Sequence, residues 1–179
     1  ELSLCTTPQY TTAAVLEAIG ALRQLSSLSL RTVADLACLQ LLPVQLQHLT
    51  VTFSQEGRVD LSHLANLTQL KMHAEARIEP GSVMPAQLQH LTVFFHLDDP
   101  VDLLGISNLQ QLRCLTINSP VASASQLRSL AAVSQLQELH LHDQPADEYD
   151  AAHPAPSLSG LTMLRSLGVV AERSDLVGP

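Results

Sequence analysis

Eight histidines are the richest store of reactive side chains in this 179-residue chain. His140 and His142 sit in Glu138-Leu-His-Leu-His-Asp143, where leucine alternates with polar residues, so on an extended strand both imidazoles leave one face. With Asp143 as a third ligand they would suit a zinc-type ion. Two histidines without a second spaced pair are an incomplete ligand set, so the reading adopted is solvated imidazoles with no metal and no cofactor. No GxSxG, HExxH, P-loop or GxGxxG pattern is present, and no carboxylate pair stands at helical spacing on an apolar background. The chemistry expected is therefore that of a binding surface, not an enzyme.

Charge narrows the partner. Nine Lys+Arg against seventeen Asp+Glu give a net charge of −8, and Lys71 is the single lysine, so nothing tracks a phosphate backbone and nucleic acid is a poor partner. The apolar stretches fall far short of the ~20 residues that span a bilayer, so no membrane is expected. The chain opens on Glu1 without a basic and then apolar leader, and nothing in it reads as a signal peptide. Cys5, Cys38 and Cys114 are odd in number, far apart and outside any CxxC, which suits free thiols in a reducing, cytoplasmic setting.

What positions these residues is a repeat. Thirty-five leucines run from end to end. Leu25-x-x-Leu28-x-Leu30 recurs as Leu46-x-x-Leu49-x-Val51, Leu67-x-x-Leu70-x-Met72, Leu88-x-x-Leu91-x-Val93, Leu112-x-x-Leu115-x-Ile117, Leu136-x-x-Leu139-x-Leu141 and Leu164-x-x-Leu167-x-Val169. Leu2-x-Leu4 is the tail of an earlier copy, which makes about eight, spaced 26, 21, 21, 21, 24, 24 and 28 residues apart. A longer period overlies this one, since Pro43-Val-Gln-Leu-Gln-His-Leu-Thr-Val is echoed 42 residues later by Pro85-Ala-Gln-Leu-Gln-His-Leu-Thr-Val. L-x-L has strand periodicity, and one copy is too small to bury its apolar face, so the copies must stack as parallel strands roughly 4.8 Å apart.

The repeat resembles the leucine-rich repeat family, L-x-x-L-x-L-x-x-N/C-x-L, in its short-repeat form, over essentially the whole chain. The resemblance implies an α/β solenoid: a curved parallel β-sheet on the concave side, with short helices and irregular turns on the convex side. The family's Asn or Cys position holds Thr7, Val33, Ser54, Glu75, His96, Pro120, Gln144 and Glu172 instead, so irregular loops are expected after each strand. The composition, rich in Ala, Leu, Gln and His, resembles repeat proteins of GC-rich, green-alga-like genomes. Residues 1–179 are read as one domain, and both ends look cut, as in a piece of a longer array.

On the returning side, Thr11 or Thr12 can cap a helix with Val15, Leu16, Ile19 and Leu22 on one face. Asp35 to Leu42 reads as a second short helix ending at Pro43, and Ser125 to Val133 as a third. Segments 54–61, 75–83 and 96–103 carry Gly57, Pro80-Gly81 and Pro100 and read as extended or single-turn connections. The longest loop, 143–157, is acidic and reads as a solvated insertion or a docking surface for a basic partner.

Function then falls to the solvent face of the strands. Its central column reads Ser3, Ser29, Thr50, Lys71, Thr92, Thr116, His140, Gly168. The column after it reads Cys5, Arg31, Thr52, His73, Phe94, Asn118, His142, Val170, and the one before it Ser27, His48, Gln69, His90, Cys114, Glu138, Ser166. Phe94 stands among polar partners as a binding hot spot would, or else folds over His73 or Asn118 as a local lid; Phe53 and Phe95 fall on the inward parity. Cys38 is expected in the core, and Cys5 and Cys114 within reach of a thiol reagent. These features point to a non-catalytic scaffold that binds an unidentified protein through the sheet face, with further repeats or domains of the parent chain as other partners. The resemblance also implies an alternative: the recognition arm of an enzyme assembly, either a ubiquitin-ligase receptor or a GTPase activator using Arg31.

Overall fold

The computed structural model describes residues 13–33, 35–75, 79, 81–95, 103–118, 130, 132–143 and 160–171. Among the described residues the repeat produces seven strands: β1 (Ser27–Val33), β2 (His48–Phe53), β3 (Gln69–Ala74), β4 (His90–Phe95), β5 (Cys114–Asn118), β6 (Glu138–Asp143) and β7 (Ser166–Ala171). They form one parallel sheet in chain order. The register is the one the leucines dictate. Leu28, Leu49, Leu70, Leu91, Leu115, Leu139 and Leu167 lie side by side across all six pairings. Alternate residues enter the core, as period-two patterning requires, so β2 reads half-buried, buried, half-buried, buried along its length.

Two local devices deliver each strand. The x-x between leucines closes a tight turn in which the later leucine N–H donates three residues back, as from Leu46 to Pro43, Leu67 to Leu64, Leu88 to Pro85 and Leu112 to Leu109. The residue just ahead of each strand then offers its carbonyl to two successive N–H groups of the following turn. Ser26, Gln47, Thr68, Gln89, Arg113 and Gln137 all do so, at 2.8–3.0 Å. Amide side chains add to this on the returning side: Gln45 Nε2 donates to the Leu22 carbonyl at 2.7 Å, and Asn66 Nδ2 to the Val44 carbonyl at 3.1 Å. Backbone groups of neighbouring turns are thus satisfied without the family's Asn, whose positions hold exposed Ser54 and Glu75.

β1 departs from the expected register. Arg31 and Thr32 together oppose Thr52, a bulge with Thr32 at φ 58°, so that Val33 pairs with Phe53. Val33 is therefore a fully buried core residue and not the loop position its count from Leu30 implies.

On the returning side α1 (Ala13–Gly20) is an α-helix that buries Leu16 and Ile19, and Leu130 is also helical. Val15 and Leu22 were expected on the same face but are 39% and 41% exposed, because the chain covers only part of the apolar stripe. Leu36–Leu41 is a 3₁₀ helix, with the Asp35 side chain accepting from Ala37 N at 2.9 Å as its N-cap. A second 3₁₀ helix, Leu103–Asn108, follows a segment read as extended. The described parts of the 54–61 and 75–83 connections meet at an isolated parallel bridge, with Val83 N donating to Val59 O at 2.8 Å and Leu61 N to Val83 O at 2.9 Å. The Leu2-x-Leu4 copy with Cys5, the caps Thr11 and Thr12, all but a few residues of the Ser125–Val133 helix, and the acidic loop beyond Asp143 lie outside the described residues. No helix among the described residues is long and apolar enough to cross a membrane.

One titratable group lies inside the turns. Both ring nitrogens of His63 are shut off from solvent. Burial pushes its pKa below the ordinary histidine value, and the Leu42 backbone and Asp60 oppose this without reversing it.

Two predictions follow from packing and burial. Leu70→Ala should lower unfolding stability by about 3 kcal/mol in a urea titration, whereas Leu167→Ala, in the same column, should cost well under ~1 kcal/mol, because Leu70 is 2% exposed and Leu167 52%. For His63 the folded chain disfavours the proton, so its contribution is complete above the unfolded pKa and is lost as pH falls through the depressed folded one. The melting temperature should therefore drop on acidification below about pH 6.5, and His63→Leu should flatten that drop.

Candidate functional site

The face of the sheet turned away from the core is organised by the same register. Ser29, Thr50, Lys71, Thr92, Thr116, His140 and Gly168 form its central column. His48, Gln69, His90, Cys114 and Glu138 run along one side. Thr52, His73, Phe94, Asn118 and His142 run along the other. Arg31 is exposed at the β1 bulge next to Thr52. The anticipated residues of β2 to β6 fall in these columns because each strand carries the next in register, while Ser3 and Cys5 lie outside the described residues. The side chain of His142 lies outside the description, as does that of Phe95.

Three of these side chains meet. His73 and Phe94, cross-strand partners, stack with ring centroids 4.4 Å apart and planes 3° from parallel. Lys71 Nζ lies 5.1 Å from the Phe94 ring centroid, within cation–π range. Phe94 is consequently half-buried and not a bare hot spot. Of the two arrangements expected for it, the ring over His73 is the one present. The cluster is amphipathic, with an aromatic pair and the only lysine of the chain fixed across β3 and β4.

On the other side, His48 Nδ1 lies 2.8 Å from Gln69 Oε1. An amide oxygen only accepts, so Nδ1 carries the proton and Nε2 of the neutral ring is left as an acceptor. Farther along, His140 Nε2 is 3.9 Å from Glu138 Oε2. Its ring leans over β7, where a Cβ on Gly168 would come within 2.6 Å of His140 Nδ1, so a larger residue there would require the imidazole to move. Among the described residues no three His, Cys, Asp or Glu side chains gather closely enough to hold a metal ion.

Cys114 differs from expectation. It is half-buried, and burial raises its thiol pKa, with the Glu138 carboxylate adding to the rise. Its thiolate form is disfavoured to that extent. Cys38 is partly buried against the core, and its Sγ donates to Asp35 Oδ2 at 3.4 Å.

The approach of Lys71 to the Phe94 ring was not anticipated from the sequence. Its trace is that Lys71 and His73 flank the core residue Met72 on the strand paired with the one aromatic on the solvent parity. The amide column at Gln24, Gln45, Asn66, Gln87, Gln111 and Gln135, one residue ahead of the first leucine in six of the seven full copies (Met163 precedes Leu164), is likewise visible in the sequence.

Neither a family model nor a curated protein sequence matches the chain. Among solved structures it is similar to an internalin, a leucine-rich-repeat protein, from Listeria monocytogenes, at 22% identity and a TM-score of 0.54. That likeness covers 89% of this chain and 46% of the internalin, so the chain spans a little under half the length of that relative. The fold is a leucine-rich-repeat solenoid of the internalin kind, a seven-stranded parallel sheet with few helices.

The state of Cys114 can be checked chemically. In a background where Cys5 and Cys38 are serine, Glu138→Gln should speed iodoacetamide labelling of Cys114 about two- to fivefold near neutral pH, by removing the charge that disfavours thiolate.

Proposed function

We propose that the chain is a non-catalytic interaction scaffold that binds a partner protein through the open sheet face. The observation that carries this reading is the convergence of Lys71 and His73 on Phe94, an ordered amphipathic cluster in the middle of a broad face of small polar side chains. Aromatic and cationic groups preset in this way contribute binding energy at low entropic cost. Likeness to an internalin, whose fold belongs to a class of binding solenoids, is consistent with this use. A recognition arm within an enzyme assembly would use the same face, so that alternative is this proposal with a further chain attached. Nucleic acid fits the face less well, because Arg31 and Lys71 are its only permanent cations among the described residues. A cytoplasmic setting is part of the proposal, supported by the free thiols Cys38 and Cys114.

The test compares wild type with Phe94→Ser in co-precipitation, alongside urea denaturation. Partner capture should fall about tenfold or more, with stability changed by less than ~1 kcal/mol because Phe94 packs outside the leucine core. Undiminished capture by a folded Phe94→Ser protein would remove this face from the interaction.

A further inference from the structure

We infer that the return turn at 60–67 is an acid-sensitive seam between repeats, which opens locally when His63 takes up a proton while the sheet stays closed. This goes beyond the binding role of the open face and does not depend on it.

The repeat itself marks His63 as out of place. Four residues ahead of the first leucines Leu46, Leu67 and Leu88 stand Leu42, His63 and Met84, spaced 21 residues apart. Leu42 is 2% exposed, and Met84 packs partly buried against the leucine core. The position therefore calls for an apolar side chain. In the middle repeat it holds an imidazole whose two ring nitrogens are both shut off from solvent. Enclosing such a group is tolerable while it is neutral and costly once it is charged.

The seam is closed by bonds that do not involve the ring. Gln40 Nε2, on the 3₁₀ helix of the repeat before, donates to the Asp60 carbonyl at 2.8 Å. Leu61 N donates to the Val83 carbonyl of the repeat after at 2.9 Å. Within the turn, Ser62 N donates to Asp60 Oδ1 at 3.0 Å and Leu64 N to the Leu61 carbonyl at 3.0 Å. Residues 60–64 are thereby fixed between two neighbours, and a charged ring gains hydration by loosening these contacts.

Burial disfavours the proton on His63, and the Leu42 backbone and Asp60 on its own turn favour it to a smaller extent. The segments 39–45 before it and 82–88 after it contribute no titratable side chain. Arg58 acts on Asp60, which hydrogen bonds from Ser62 hold below the usual carboxylate range, so Asp60 stays ionised in mild acid and is not the group that titrates there. The closed turn thus resists the proton that the open turn accepts at the ordinary histidine value of about 6.5. Closure is fully favoured above that pH and weakens as the pH falls from it toward the depressed value.

Hydrogen exchange of the full chain, read by mass spectrometry and corrected for the intrinsic effect of pH, tests this. Between pH 7.5 and pH 5.5 the protection of amides in 60–67 should fall about fivefold, and that of β5 by less than about twofold. His63→Leu and His63→Met, which place there the side chains of the neighbouring repeats, should each abolish the local fall. Undiminished protection in 60–67 would mean that the ring takes its proton without opening the turn, and would overturn the inference. So would an equal loss in β5, or a local loss that persists in a folded variant lacking the imidazole.

Discussion

No single turn of this chain can bury its own leucines. A six-residue strand with a leucine pair on one side has nothing behind it until the neighbouring turns are in place, so every rung depends on its neighbours for both its apolar contacts and its backbone partners. The dependence shows within one column: Leu28, Leu49, Leu70, Leu91, Leu115 and Leu139 are 0–2% exposed, while Leu167 on the last described strand is 52% exposed. The doubly accepting carbonyls at Ser26, Gln47, Thr68, Gln89, Arg113 and Gln137 fix where each strand begins. Packing and hydrogen bonding therefore select the same register.

That register governs the open face as well. Because one residue of slip would turn every leucine outward, the polar residues between them are held in columns as strictly as the core is. Thr50, Lys71 and Thr92 are neighbours because Leu49, Leu70 and Leu91 are. The meeting of His73, Phe94 and Lys71 is thus a by-product of burial on the far side of the sheet. Stable core packing supplies the preorganisation that a binding surface needs.

What could be read in the sequence follows from which interactions are periodic. All seven strands and their pairing were legible, because the leucine spacing and the stacking constraint carry the same information. The β1 bulge was not. An extra residue at Arg31–Thr32 leaves no mark in residue type, since the left-handed conformation falls on a threonine instead of a glycine. Val15 and Leu22 were misplaced because the apolar stripe of a helix shows what could be buried, not how much surface is offered to cover it. The face columns were legible by parity. The choice of His73 over Asn118 beneath Phe94 and the half-burial of Cys114 were not, because both depend on how side chains lean between strands.

The 42-residue echo between Pro43 and Pro85 gains meaning from the paired carbonyls at strand entry. Since Gln47 and Gln89 present the same hydrogen-bonding edge to whatever follows, a stretch of coding DNA for two coils can be copied in tandem without leaving a mismatched seam. Such an architecture can lengthen or shorten over generations by slippage in whole units, so the reach of its working surface is open to inheritance by copy number as well as by point change.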